Sequence, residues 1–478
     1  MTESPYPAGR VVLEALRLDL ESEPEVRDRA QRALDLSAGG FILFGGSMEV
    51  VGRLIEDLLA EAGRPLWFGS DLERGPGQQF AGMATLPPPA GLAVHPDSEA
   101  ATREAGRITG LGARALGINL VFSPVLDLDI EPRNPIVGTR AFSADPAVVA
   151  RLGGAWIDGC QSEGVLACAK HFPGHGRTIV DSHAEIPVVN ATREQLEADL
   201  LPFRRVIGDV GAILSAHVSY PGLGTDRPAT IAPPILTDLL RIELGFEGLI
   251  VTDAMNMSGF LDAGDRSGSA AVSALLAGCD LLLYPADFEA TTEVLGTAAN
   301  GNPDARRRLA EAADRSTRSL ARLEAEPSPG TSTDSTDADR IASGCIAWLK
   351  EAPGWLTPGA RVGVRAIWDD REQPDRSPLG TEFADLIEDA GFEVDNASAD
   401  VPQLVLVAST PQAWKGTAGL TAAAESELRV ARDGAADSLT IVFGHARLAH
   451  ELDAAVCAWG TEPVMERAAA CAVVRGAV

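Results

Sequence analysis

Fifteen residues, Ala169–His183 (AKHFPGHGRTIVDSH), gather one lysine, three histidines and one aspartate behind an apolar, β-type run. Lysine stands elsewhere only at Lys350 and Lys415, so Lys170 in this company points to a dedicated use. His171 and His175 are four apart, a spacing that on a helix would pair them as metal ligands. Pro173, Gly174 and Gly176 oppose a helix there, so no metal site is expected. The expectation is instead a glycine-rich loop laid over a substrate, with Lys170 and His171 fixed at the strand end. Asp181 and His183 follow two residues apart. If the loop curls, the carboxylate pairs with the imidazole, fixes its tautomer and raises its pKa. His183 is then a general acid near neutral pH and Asp181 its orienting partner. The plainer alternative makes each histidine a turn cap or a satisfied core residue; three in one Gly/Pro-rich loop beside a rare lysine argue against it.

The second constellation is Gly248–Met257 (GLIVTDAMNM), an apolar strand that delivers Asp253 into a turn of small residues and methionines. A carboxylate in that place either caps the next helix or attacks an anomeric carbon, forming a covalent glycosyl-enzyme that water opens. Asp71 in FGSDLERG can bond paired hydroxyls, and Arg140 in NPIVGTRAF can orient a polar substituent with its fork of donors. Asp127 and Asp129 in SPVLDLD read as structural, organising the loop that carries Arg133 and Arg140.

These residues need a scaffold that collects strand ends. Apolar runs at Val11–Leu20, Gly40–Phe44, Leu66–Ser70, Asn119–Pro124, Val165–Ala169, Ala212–Ala216, Leu249–Thr252 and Asp280–Tyr284 alternate with helical patterns such as Val50–Ala62. Val11–Leu20 contains Glu14 and Arg17 and can equally open a helix. Asp71, Asp127, Lys170 with His171, His217 and Asp253 all follow such runs, which is where a (β/α)8 TIM-type barrel carries its chemistry. The expected fold class is therefore α/β: a barrel over residues 1–323, a linker rich in Ser, Thr, Pro and acids over 324–340, and a smaller α/β layered C-terminal domain over 341–478. Strands at Val362–Ile367, Leu404–Val407 and Leu439–Phe443, with helices at Thr381–Ala390 and Leu420–Ala431, are expected in that domain.

The 478 residues, 45% hydrophobic and 23% charged, suffice for at least one large core. A formal charge of −28 repels nucleic acid and anionic membranes, so neither is an expected partner. Six cysteines without CxxC spacing read as reduced thiols. Neither an export signal nor a membrane span is legible, and a cytoplasmic setting is expected. Oligomeric state is not legible.

KHFPGHG followed by DSH, with LSAHVSYPGLGTDRPAT and LLRIELGFEGLIVTDAMNM downstream, resembles glycoside hydrolase family 3 over about residues 10 to 320. The D-S-H element resembles its β-N-acetylhexosaminidase branch, the cell-wall recycling type, and sets the chain apart from the family's β-glucosidases. The resemblance implies an exo-acting, retaining N-acetylglucosaminidase on peptidoglycan-derived carbohydrate. Asp253 would be the nucleophile, His183 the acid/base and Asp181 its partner. Asp71, Arg140, Lys170 and His171 would bind sugar, and no cofactor would be required. Two positions depart from the branch: Gln79 stands in DLERGPGQQF where Arg is usual, and Arg177 where Asp is usual. Both bear on sugar contacts and leaving-group preference. The C-terminal domain resembles more weakly the α/β domain of two-domain members, and its His445 and His450 read as exposed or capping. Two alternatives remain: phosphorolysis, because a histidine acid/base does not repel phosphate as a carboxylate would, and a non-catalytic sugar-binding protein, against which the intact Asp253, His183 and Asp181 argue.

Overall fold

The computed structural model describes residues 7–179, 186–257, 269–325, 335–369, 379–398, 400–409 and 419–477. They fall into two compact units, one drawn from 1–84, 102–134 and 143–333, the other from 85–101, 135–142 and 334–478.

The first unit is the barrel. Its strands are β1 (Val12–Arg17), β2 (Gly40–Phe44), β3 (Trp67–Ser70), β4 (Leu120–Val121), β5 (Leu166–Phe172), β6 (Ala212–Ser215), β7 (Leu249–Val251) and β8 (Leu282–Leu283). Each pairs in parallel with its chain neighbour from β1 to β7, and β8 pairs with β1. A parallel bridge between Val251 and Leu281 closes the ring. All eight expected strands are present, β1 included. There Glu14 is only 6% exposed, accepts a bond from the Ala15 amide at 2.7 Å, and is pushed above the usual carboxylate range by burial. The Arg17 guanidinium lies over the Phe44 ring at 4.9 Å and bonds Asp19, which is how a strand tolerates two charges in a segment that could be read as helix.

The barrel interior is filled by side chains from every strand or its flank: Leu13, Ile42, Trp67, Leu120, Cys168, Leu214, Val251 and Leu283 among them. Each large apolar group so buried stabilises by about 1.5–3 kcal/mol. The interior is thus a packed core and leaves chemistry to the ends of the strands.

β5 runs three residues past its expected end. The amide of Lys170 donates to Pro124 O at 3.0 Å, and Lys170 O accepts from Leu126 N at 2.6 Å. Lys170 and His171 are therefore held in the sheet at its end, as expected, and Phe172 extends it by one residue into the stretch read as loop.

In the second unit, β9 (Ala347–Trp348), β10 (Arg361–Trp368), β11 (Glu393–Val394), β12 (Gln403–Ser409), β13 (Ser438–Gly444) and β14 (Val456–Cys457) form one sheet in the order β9-β14-β13-β12-β10-β11. It is parallel except where β9 meets β14. Helices Thr381–Asp389 and Ala422–Asp433 fall where expected. Ala90 packs with Val405, Val407 and Trp459, which ties the 85–101 stretch to this core. Helices Pro303–Ala325 and Ser335–Cys345 take both ends of the stretch read as linker. All six cysteines are free and five are buried. No helix among the described residues is long and apolar enough to cross a membrane.

Candidate active site

The carboxyl ends of β3, β4, β5 and β7 carry the polar groups. Lys170, at 3% exposure, donates from Nζ to Asp71 Oδ1 at 2.7 Å and lies 2.8 Å from Glu73 Oε1. Glu73 is buried while Asp71 is partly open to solvent. One ammonium shared by two carboxylates leaves oxygen lone pairs on Asp71 for hydroxyl donors, the use expected of it. Glu73 was not singled out from sequence, though its place two residues after Asp71 puts it at the same strand end.

The next residue along β5 turns to a different partner. His171 Nδ1 is 2.6 Å from Asp127 Oδ2, and Asp127 Oδ1 accepts from the amides of His171 and His175 at 3.2 and 2.6 Å. Asp127 is fully buried. Burial alone would raise its pKa, but the charge and hydrogen bond of His171, with the His175 amide, outweigh it and hold the carboxyl below the ordinary range. Asp127 therefore organises the site's histidines, beyond the loop role read for it from sequence.

His175 is buried too. Desolvation first, then the nearby His171, pull its pKa down to about 4, so it is neutral at physiological pH. Its Nδ1 is 2.8 Å from Thr178 Oγ1, and Asn134 Nδ2 donates to its carbonyl at 3.0 Å. The rings of His171 and His175 meet edge to face at 5.7 Å. Among the described residues no group of three or more His, Cys, Asp or Glu side chains is placed to hold a metal ion. The glycines of KHFPGHG have steric reasons: Gly174 sits at φ 134°, and a Cβ on Gly176 would strike the Leu128 carbonyl.

Arg177 turns away from this cluster. Its Nε donates to Asp199 Oδ2 at 2.8 Å and its Nη2 to Gln195 O at 3.0 Å, so its charge is spent on the helix Arg193–Val206. Burial raises Asp199 to about 6 against the lowering pull of Arg177. Two opposed linkages follow. His175, depressed in the fold, contributes stability that is lost as pH falls from about 6.5 toward 4. Asp199, raised in the fold, contributes stability present below about 3.9 and lost as pH rises through about 6. The two slopes largely cancel in the parent protein. In Asp199→Asn the His175 slope stands alone, and thermal unfolding between pH 4 and 6 should show stability rising with pH by about 1 kcal/mol per unit more than in the parent. An unchanged slope would refute the assignment.

Asp253 follows β7, half-buried, with its Oδ1 accepting from the Ala254 amide at 2.8 Å. It follows the carboxyl end of β7 as Lys170 and His171 stand at the carboxyl end of β5 in the same parallel ring, which places them at one mouth of the barrel. His217, fully buried after β6, donates from Nε2 to Ala254 O at 3.1 Å and sets Nδ1 2.8 Å from Thr230 Oγ1, so it braces the turn beside Asp253. Its position after a strand was the only sequence signal for it. Asp181 and His183 lie outside the described residues. Arg140 ends the short helix Gly138–Arg140 in the second unit and donates from Nη1 to Ile136 O at 2.9 Å.

A parallel barrel whose strand ends present a lysine–carboxylate cluster, a buried Asp–His pair and a half-buried aspartate is a setting for glycosyl chemistry, and residues 19–318 match the glycosyl hydrolase family 3 N terminal domain. The chain belongs to glycosyl hydrolase family 3. It is a glycoside hydrolase. A beta-hexosaminidase of Thiobacillus denitrificans is 37% identical to this family 3 chain over 296 residues, 60% of this chain and 82% of that protein. The structure of a family 3 beta-N-acetylglucosaminidase from Paenibacillus sp. str. FPU-7 aligns with a TM-score of 0.82 at 25% identity, over all of this chain and 97% of that one. A beta-glucoside phosphorylase bound to 2FGlc shares the fold, with a TM-score of 0.85 at 20% identity over 99% of this chain and 92% of that one.

Proposed function

We propose that this family 3 hydrolase is a retaining exo-β-N-acetylglucosaminidase that removes terminal β-linked N-acetylglucosamine from peptidoglycan-derived fragments in the cytoplasm. The observation that carries this reading is the placement of Asp253 after β7, at the barrel end that also holds Lys170 and His171, in a chain 37% identical to a beta-hexosaminidase. Asp253 Oδ attacks the anomeric carbon as the bond to the aglycone oxygen breaks, and His183 gives that oxygen its proton. Water then attacks the glycosyl-aspartate, His183 takes its proton, and the Asp253 carboxylate departs. Two inversions yield the β-sugar. Asp181 orients His183. Asp71 and Lys170 bind hydroxyls, and His171, its ring fixed by Asp127, offers Nε2 to the sugar. All steps are proton transfer and substitution by side chains.

Hydrolysis of paired 4-nitrophenyl β-glycosides, N-acetylglucosaminide against glucoside, with and without phosphate, tests the reading. Preference for the acetamido sugar with β-anomer formed first supports it. Preference for the glucoside overturns the substrate, and a sugar 1-phosphate product overturns hydrolysis. His183→Ala should lose about 10²–10⁴-fold on substrates with poor leaving groups and far less on nitrophenyl substrates, which need no proton. Equal losses on both would sink its role as acid.

A further inference from the structure

At the opposite end of the barrel lies a cleft of about 820 Å³, within the size range of small-molecule sites. Leu166, Gly211 and Gly248 line it, so it opens at the starts of β5, β6 and β7, away from the polar strand ends. Its other wall is the helix Pro303–Ala325, which presents Arg315, Arg318 and Arg322. Their spacing of three and four puts them on one face of that helix.

The charge balance is unusual for a chain of net −28. Asp280, fully buried, is shared by Arg241, Arg308 and Arg315, one carboxylate among three guanidiniums. Burial first, then the neighbouring Arg315 and Arg308, pull Arg241 down to about 10 against the raising effect of Asp280. Buried Nη1 of Arg308 makes no hydrogen bond among the described residues, and the carboxylate of Glu311 lies 3.9 Å from it. Arg318 and Arg322 are exposed, and among the described residues neither has a hydrogen bond or ion pair. The cleft's own carboxylates are Asp209 and Glu247, both exposed. Of the charged groups that line the cleft, three guanidiniums, Arg315, Arg318 and Arg322, thus face two carboxylates, Asp209 and Glu247.

We propose that this cleft binds a phosphate group, free or as the ester of a small molecule, between Arg318 and Arg322 with Arg315 behind them. A guanidinium fork matches two phosphate oxygens, and two forks one turn apart can hold one dianion. Leu166 and Leu323 supply an apolar wall for the body of an ester.

Calorimetric titration of the full chain with inorganic phosphate and with a sugar phosphate tests the site, with Arg318→Gln, Arg322→Gln and the double variant beside Arg307→Gln, an exposed arginine of the same helix outside the cleft. Saturable binding is expected, weakened at least about tenfold by the double variant and unchanged by Arg307→Gln. Tighter binding of the ester assigns it as the ligand, and equal binding assigns the free ion. Among the described residues Arg318 and Arg322 make no hydrogen bond or ion pair, so glycoside hydrolysis should be unaffected by their replacement. Absence of saturable binding by either probe, or binding undiminished in the double variant, overturns the proposal. If phosphate binds equally in all variants and inhibits hydrolysis, its site is the catalytic mouth and the cleft is excluded.

Discussion

Asp253→Asn will lower kcat/KM on aryl N-acetylglucosaminides by at least about 10⁴-fold while leaving thermal stability nearly unchanged. Asparagine keeps the shape of the side chain, and its amide oxygen can still accept from the Ala254 amide, the bond now made at 2.8 Å. Turn geometry and the His217 brace on Ala254 are therefore preserved. Only the nucleophilic charge is removed. A capping role predicts near-parental activity for the same variant, so the two readings separate on one measurement. A small external nucleophile such as azide should restore turnover in Asp253→Ala, because it enters the vacated space and releases a glycosyl azide of inverted configuration. Trapping of a glycosyl adduct on Asp253 in the parent protein would further exclude retention by the substrate's own acetamido group.

What was legible from sequence follows physical lines. The eight strands are short apolar runs flanked by turn residues, and a parallel sheet buried on both faces demands that pattern. Even β1 fits once the local partners of Glu14 and Arg17 are known. The placement of Asp71, Lys170 and Asp253 at strand ends was legible because each directly follows or ends an apolar run. Glu73 and Asp127 were harder. Each acts through a residue distant in sequence, Lys170 for Glu73 and His171 with His175 for Asp127, and pairing across strands leaves no mark in spacing. The departure at Arg177 reads from sequence as a change in loop charge, yet its guanidinium is tied to Asp199, twenty-two residues on. Likewise, the grouping of 85–101 and 135–142 with the second unit rests on long-range packing, such as Ala90 on Trp459, that no local composition signals.

Asp127 is where the largest loss of stability is expected. Its carboxylate receives the His171 imidazole and two backbone amides in a fully buried place. Asp127→Ala strands all three donors away from water, and breaking such a buried pair costs about 3–5 kcal/mol. Asp127→Asn costs less but changes chemistry. Its amide oxygen can still take the backbone N–H groups, whereas its NH2 faces His171 Nδ1 and forces that nitrogen to accept. In the neutral form of the ring the proton then sits on Nε2 instead of Nδ1, so the carboxylate's control over which nitrogen faces the sugar is reversed. The expected result is a modest fall in Tm with a large fall in kcat/KM for Asp127→Asn, and a large fall in both for Asp127→Ala. The pH dependence provides a further check. Because the folded pKa of Asp127 lies below its unfolded value, its stabilisation is complete above about pH 4 and is lost as pH falls through the folded value. Both variants should therefore lose less stability than the parent on acidification below pH 4. Denaturant unfolding at neutral and acid pH, with nitrogen NMR of the His171 ring, reads each of these effects. Parental stability in Asp127→Ala, or an unaltered His171 tautomer in Asp127→Asn, would show that the buried carboxylate does not hold the histidines in place.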